Sequence, residues 1–507
     1  MAPTPAAREA GGWSGAAPPA WALATLLCVA ASLALRAYSF PLSVIDWDET
    51  VYVITATSWL EGGLPYIAVW DHHPVGLPAL LMLPIRLTGD ALLGARLASA
   101  VAVGLTAAIL LRIGPGFLGS RVAGLATAAL YLIGMMRYDA LSTQTELFNN
   151  LCVAFACWRL LEATAGPDRF RDSAAAGLAF GIGLQIKYTI IVEALLPCLV
   201  FLALVGRRAP SRAIRHAVLL LAGGIAPTLL AAAYYWQAGA LGTFLDANFA
   251  ANLAYVGVDS SEAGLATMVW AGVKPEVLLL VGAAALPMLA ARRLRTRRER
   301  LLLGGLALWL LAAAIDLSLT LKFWRHCFLA LQPPLCVAAG FLGVVMARRA
   351  PPRLAGWVFA TTVAVLGMLS LRGAVIDGLV ISARLGNDVP RRVADEIRRG
   401  GTDGQDVFVF TGQPVIYHLA GVRPPSRYVL PTELTVFAES SGAGAAQELA
   451  RILSSRPRWI VTADSTLFPV PPAIAAQAAE ALRDYAEVGS WIEPSSQGQG
   501  VTLYRRR

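Results

Sequence analysis

Runs of roughly 20 apolar residues recur along the first three-quarters of this chain, and each is long enough to cross the hydrocarbon of a bilayer. A chain built this way must satisfy its backbone within helices, because the bilayer core offers no water. The runs fall near 19–38, 91–111, 116–136, 147–165, 173–186, 188–206, 214–237, 275–291, 301–321, 328–347 and 354–371. About eleven spans are expected. The segment 75–88 is apolar but too short to cross, and Pro78 and Pro84 interrupt it. It reads as an interfacial or re-entrant helix. Composition agrees: 56% of the residues are hydrophobic and 15% charged, against about a quarter charged in soluble domains. A soluble enzyme, a disordered chain and a disulfide scaffold are excluded.

Residues 1–18 form a short Pro- and Ala-rich lead, 19–372 the transmembrane domain and 373–507 a small α/β domain. In that last part, 406–410, 458–462 and 501–504 alternate as strands, and 390–399 and 444–454 have helical spacing. No GxGxxG, P-loop or GxSxG motif occurs there. The net charge of +9 comes from basic loops rather than a nucleic-acid groove, so no nucleic-acid partner is expected. All six cysteines lie in or beside apolar runs without CxxC spacing. They read as small buried hydrophobes.

Basic residues mark the cytoplasmic ends of spans. With the N-terminus inside, Arg112, Arg121, Arg159, Arg169, Arg171, Arg207, Arg208 and the run from Arg292 to Arg300 all fall inside. Residues 39–74 contain no Lys or Arg and fall outside. An odd span count puts the C-terminal domain outside as well. The expected location is a bacterial inner membrane, multi-pass, with an extracytoplasmic site.

On that outer face the first loop carries Asp46-Trp47-Asp48-Glu49, then Trp70-Asp71-His72-His73-Pro74. The second loop carries Asp139, Gln144 and Glu146. Carboxylates at a low-dielectric boundary suit a general base or metal ligands. Asp48 and Glu49 are the catalytic candidates, with Asp46 beside them as a substrate contact. His72 and His73 suit a metal or a phosphate oxygen, alongside Asp71. Adjacent side chains diverge, so one of the two histidines is expected to face the site. Asp139 and Glu146 are candidate metal ligands, and the cofactor reading is a divalent metal ion or none.

The chain uses Arg almost everywhere, and its only lysines are Lys187, Lys274 and Lys322. Lys187 interrupts two spans, where a charge is expensive, and suits a phosphate as a compact point charge. Lys322, Arg325 and His326 follow the same logic, whereas Lys274 reads as an interfacial anchor. Trp and Tyr near span ends, Trp70 and Trp324 among them, read as belt residues.

These motifs resemble the GT-C glycosyltransferases, in the branch of protein O-mannosyltransferases and aminoarabinose transferases (ArnT-like). The resemblance spans about residues 20–345. It rests on Asp46-Trp47-Asp48-Glu49 with Tyr52, Gly62-Gly63-Leu64-Pro65-Tyr66, Trp70-Asp71-His72-His73-Pro74, Thr145-Glu146, Gly183 to Lys187, and Arg325-His326 before Pro333-Pro334. It implies transfer of a sugar from a polyprenyl-phosphate carrier to a lipid, glycan or protein acceptor on the outer face. It implies Asp48 as the base with Glu49 beside it, Asp71 and His73 at the site, Glu146 as the outer-loop acid and Lys187 as the basic turn. His73 stands where many members carry a lysine, and His326 where many carry a tyrosine. Two rivals from other classes are a transporter or lipid-linked sugar flippase, and a sensor. A transporter needs charges near the midplane, for which Arg96, Glu193 and Asp316 are the candidates; a sensor does not need acids gathered on the first loop.

Overall fold

The computed structural model describes residues 18–118, 120–164, 166, 168–258, 267, 269, 270, 273, 277–290, 297–464, 470–494 and 500–507. Lys274 and residues 292–296 of the arginine run lie outside the described residues. A helix stands at each of the eleven expected places, from Pro18–Arg36 to Ala355–Gly386. Six segments are long and apolar enough to cross a membrane: Ala20–Ser39, Ala91–Gly114, Tyr188–Gly206, Pro210–Gln237, Arg325–Arg349 and Ala355–Gly400. Several of the others are short, such as Arg121–Gly134 with 14 residues. Among the described residues, length and composition therefore do not reach a count of eleven crossings.

Packing orders these helices. Arg325–Arg349 is almost wholly enclosed by its neighbours, whereas Pro210–Gln237 lies on the outside with most of its surface free. The N-terminus of the central helix brings Arg325 and His326 into the middle of one end of the bundle. The short helix Gly76–Thr88 packs on the break between Phe170–Leu184 and Ile191–Gly206. There the Gly76 amide donates to the Gln185 carbonyl at 2.7 Å. A Cβ on Gly76 would stand 2.2 Å from that oxygen, so only glycine allows this approach. The contact ties the first loop to the turn that carries Lys187.

The bundle has two unlike ends. Arg96 and Arg112 share one helix, and the helical rise puts them on the order of 24 Å apart. Around Arg112, Trp21 and Trp158 each lie 4.6 Å from its guanidinium. Nearby, Arg159 pairs with Asp172, and Arg169 pairs with Glu162 at 2.5 Å. This is the arginine-rich end; the acids and imidazoles of the first loop collect at the other.

The C-terminal domain has strands β1 (Val407–Val409), β2 (Trp459–Ala463), β3 (Tyr485–Ile492) and β4 (Gly500–Arg506), in the order β1-β2-β4-β3. β1 and β2 are parallel, with Phe408 opposite Ile460; the other pairings are antiparallel. Helix Val389–Gly400 covers one face, and Ala445–Ser454 with Pro472–Leu482 the other. The first face also packs Val51, Ile54 and Val69 of the first loop into its core. That shared core docks the domain on the site end of the bundle. The helix Ala355–Gly386 runs through the boundary expected at 373, because its apolar sequence continues without a breaker; the globular part starts with the Asp388 cap of the next helix.

Candidate active site

Asp46 begins the site. Its side chain caps the helix Trp47–Leu60 by accepting the Asp48 amide at 3.0 Å. The first turn then carries Asp48 and Glu49, favoured there by the positive end of the helix dipole. Successive helical side chains point about 100° apart, and the two acids part company. Asp48 keeps 26% of its side-chain surface and lies 3.7 Å from His326 Nε2. Glu49 is fully buried. It receives Arg96 in bidentate fashion at 3.0 and 2.7 Å, and the Thr143 amide and hydroxyl at 3.0 and 3.1 Å. Arg96 spends its remaining donor group on the carbonyls of Ser39, Phe40 and Leu42. Glu49 thus has no open oxygen facing the site, contrary to its expected catalytic place. Arg96 is likewise a clamp at the bundle end and does not line a transport path.

Burial and the charge of Asp46 push the Asp48 carboxyl up to about 6, partly offset by His326 and His73. Asp71 accepts from the His73 amide at 3.1 Å and meets His73 Nδ1 at 2.8 Å. Burial alone would raise Asp71, but the His73 imidazole outweighs it and leaves the carboxyl below its ordinary value. Burial opposes charge on His73 as well, yet Asp71 wins and raises it. His72 is pushed down to about 3 by burial and by the charge on His73. The two imidazoles are thus shifted in opposite directions, His72 toward the neutral form and His73 toward the charged one, which the sequence did not distinguish.

Glu146 and Lys187 form an ion pair of 2.5 Å, with Lys187 Nζ also 3.6 Å from Cys327 Sγ. Burial works against the Glu146 carboxylate, but Lys187 and His326 bring it down to about 2. Asp139 pairs with Arg325 at 3.2 Å, and the Arg325 side chain stays half-exposed. The structure does not join Asp139 and Glu146 in one ligand set, because each carboxylate is committed to a different cation. Among the described residues, the groups that offer three ligand atoms within 4.8 Å are Asp46, Asp48 and His326; Asp71, His72 and His73; and Glu146, His326 and Cys327. Carboxylate and imidazole sets of this kind suit a divalent ion.

Of the residues that support the site, Asn252, Tyr255 and Phe437 carry no sequence signal. Asn252 donates to the His72 carbonyl at 2.7 Å, and the Tyr66 hydroxyl to the His73 carbonyl at 3.0 Å. Tyr255 stacks on His72 with ring centres 4.5 Å apart. Its other neighbours are Phe437 at 4.9 Å and the Trp324 indole, which donates to its hydroxyl at 3.1 Å. Lys322 donates to the Val258 carbonyl, and its ammonium lies 5.1 Å from the Tyr255 ring. Trp70 is buried against Tyr428 of the C-terminal domain and is not a belt residue. A lone aromatic or asparagine forms no motif, so only its contacts reveal it.

Acids, imidazoles and cations from five separated segments are gathered at one end of a helical bundle under a docked α/β domain. The family model for dolichyl-phosphate-mannose-protein mannosyltransferases matches residues 72–236. No curated protein matches the chain significantly. Among solved structures, ArnT from Cupriavidus metallidurans bound to undecaprenyl phosphate is similar over 96% of this chain and 98% of its own, at 16% identity and a TM-score of 0.59. AglB from Archaeoglobus fulgidus, an oligosaccharyltransferase in complex with an inhibitory peptide and a dolichol-phosphate, covers 96% of this chain and 74% of its own, at 11% identity and a TM-score of 0.53. The mycobacterial arabinofuranosyltransferase AftD covers 97% of this chain, which spans 40% of AftD, at 15% identity and a TM-score of 0.54. These likenesses show the fold. With the family match they bear out the resemblance to the ArnT-like GT-C glycosyltransferases.

Proposed function

We propose that this protein is a membrane glycosyltransferase that moves a sugar from a polyprenyl-phosphate carrier to an acceptor on the extracytoplasmic face of a bacterial inner membrane. The observation that carries this reading is the setting of Asp48: an accessible carboxylate, raised to about 6, among His326, His73 and Asp71. A carboxylate there takes the proton of an acceptor hydroxyl as the hydroxyl oxygen bonds to the anomeric carbon. The bond from that carbon to the phosphate oxygen breaks with its electrons on phosphate, and attack from the opposite side inverts the centre. His73, Lys187 and Arg325 supply positive charge for the departing phosphate, the kind of pre-placed electrostatics that stabilises developing anions. Lys187 does so while paired with Glu146, which fixes its position. As an alternative to the charged His73, a divalent ion held by Asp71 with neutral His72 and His73 would supply that charge against the phosphate.

The carrier-bound neighbours support the lipid-linked donor, since undecaprenyl phosphate and dolichol-phosphate are bound by ArnT and AglB. The test supplies purified full-length protein with lipid-linked or nucleotide-linked sugar and a membrane extract as acceptor source. Transfer from the lipid carrier alone is expected. Transfer from the nucleotide sugar alone overturns the reading. Reporter fusions after residues 145 and 400 are both expected to read as exported, and a cytoplasmic signal at 145 removes the outer-face assignment.

A further inference from the structure

A cleft of about 550 Å³ opens between the first loop and the C-terminal domain. One wall is Ile67 and Ala68, just ahead of Trp70 to His73. The other is residues 424–428 with Glu448 and Arg451. Its volume is that of a small-ligand site, for which about 300–1,000 Å³ is typical. Apolar edges from Ile67, Pro424 and Pro425 alternate with a hydroxyl, a carboxylate and two guanidinium groups. That mixture suits a ligand with flat apolar faces and many hydroxyls.

The two guanidinium groups of the cleft are held differently. Glu448 accepts from Arg451 Nε at 2.8 Å and Nη2 at 2.7 Å, and from the Ser426 hydroxyl at 2.5 Å. These bonds, from Arg451 above all, hold its carboxyl below the ordinary value, so it stays ionised and is matched by Arg451. Glu433 is buried; that burial and Asp71 raise its carboxyl above the ordinary value, and Arg427 opposes the rise. Arg427 makes no ion pair among the described residues.

Arg427 is also fixed in place. Its guanidinium lies 4.8 Å from the Tyr428 ring and 5.4 Å from the Trp70 ring, and donates to the Tyr428 hydroxyl at 2.7 Å. Its carbonyl accepts the Trp70 amide at 2.8 Å. An immobilised guanidinium with no ion pair among the described residues, in a polar cleft, is built for an anion, because little ordering remains to be done on binding.

We propose that this cleft anchors the acceptor, and that the acceptor is a carbohydrate bearing a phosphate or carboxylate that Arg427 receives. The site lies along the loop that carries Asp71, His72 and His73, so an acceptor held here is presented next to the reacting groups. The word acceptor rests on the glycosyltransferase reading; the binding itself does not.

The test uses the full-length protein in phosphatidylcholine nanodiscs without donor, so that binding is read apart from transfer. Glucose 6-phosphate, glucuronic acid, glucose and inorganic phosphate are the probes, followed by ligand-observed NMR. The two anionic sugars are expected to bind, and glucose and inorganic phosphate at least about tenfold more weakly. Arg427→Gln is expected to weaken the anionic sugars about tenfold or more, the size of a lost charge-assisted contact. Arg427→Lys keeps the charge and retains part of the binding. Arg423→Gln, on the same domain but paired with Glu61 outside the cleft, leaves it unchanged. Arg451→Gln serves as a second cleft variant should Arg427→Gln fail to fold, with a loss of the same sign. Absence of binding to the wild type, equal binding to both cleft variants, or inorganic phosphate binding as well as the sugar phosphate overturns the proposal. So does loss of sugar binding in nanodiscs containing phosphatidylglycerol, which assigns the cleft to a lipid headgroup. Failure of transfer with binding intact counts only against the glycosyltransferase reading.

Discussion

Two regions meet at one helical turn, the open site around Asp48 and the closed clamp around Glu49 and Arg96. Both centre on an acid in the first turn of Trp47–Leu60, and both sit at the same end of the bundle. Asp48 faces His326 across 3.7 Å with part of its surface free, and its proton affinity is raised. Glu49 faces a guanidinium at 2.7 Å with no surface free. The first arrangement leaves a carboxylate able to exchange a proton. The second ties residues 39–42, 49, 96 and 143 together and leaves nothing to react. The difference teaches that position in a motif does not decide an acid's role; its partner does.

The largest effect expected is on the clamp. Glu49→Gln leaves the Arg96 charge buried without its counter-charge, and breaking such a pair costs about 3–5 kcal/mol. Thermal unfolding in detergent should show a large loss, with activity falling only as folded protein is lost. A Glu49→Gln protein that stays folded but cannot turn over would break the comparison, because the acid would then have a chemical role.

The next effect is on the site. Asp48→Asn is expected to lower transfer by ~10²-fold or more, the usual loss of a general base, with the unfolding temperature kept. Equal losses of stability and turnover would make Asp48 a second clamp. The pH profile sharpens this further. Only the ionised carboxylate accepts a proton, so the rate should rise through pH about 6 and level off above it. Asp46 raises this group and His326 lowers it. Asp46→Asn, which keeps the helix cap, should therefore move the acid limb down, and His326→Gln should move it up. Shifts of the opposite sign would mean that another group titrates.

The smallest effect concerns the supporting layer. Tyr255→Leu removes the ring stacked between His72 and Phe437. Aromatic pairs of this kind contribute about 0.5–1.5 kcal/mol, so KM should change by less than about tenfold with little change in kcat. A loss as large as that of Asp48→Asn would place Tyr255 in the chemistry itself.

Much of the architecture was legible in the sequence. The apolar runs marked the helices, and the alternation at 406–410, 458–462 and 501–504 marked three of the four strands. The strand Tyr485–Ile492 was missed because most of its residues are exposed on both faces and a bulge between Glu487 and Gly489 breaks its period. An edge strand of that kind carries no apolar alternation. In the site, Asp46, Asp48, Asp71, Lys187 and Arg325 stood out as charges near apolar spans. Asn252 and Tyr255, in the helix Ala251–Gly257, and Phe437 and Arg427, outside regular elements, did not, since each is a common residue and matters only through what it touches.

Sequence by itself determined that this is a helical membrane protein with acids and imidazoles concentrated on its first loop. Hydropathy and charge are local properties, and a bilayer reads them segment by segment. Tertiary structure alone decided which acid is accessible and which is clamped, which histidine is shifted toward its charged form, and that Asp139 and Glu146 answer to different cations. Those outcomes depend on desolvation and on partners distant along the chain, such as Arg96 for Glu49 and Lys187 for Glu146. Proton affinity follows from those surroundings and not from residue type.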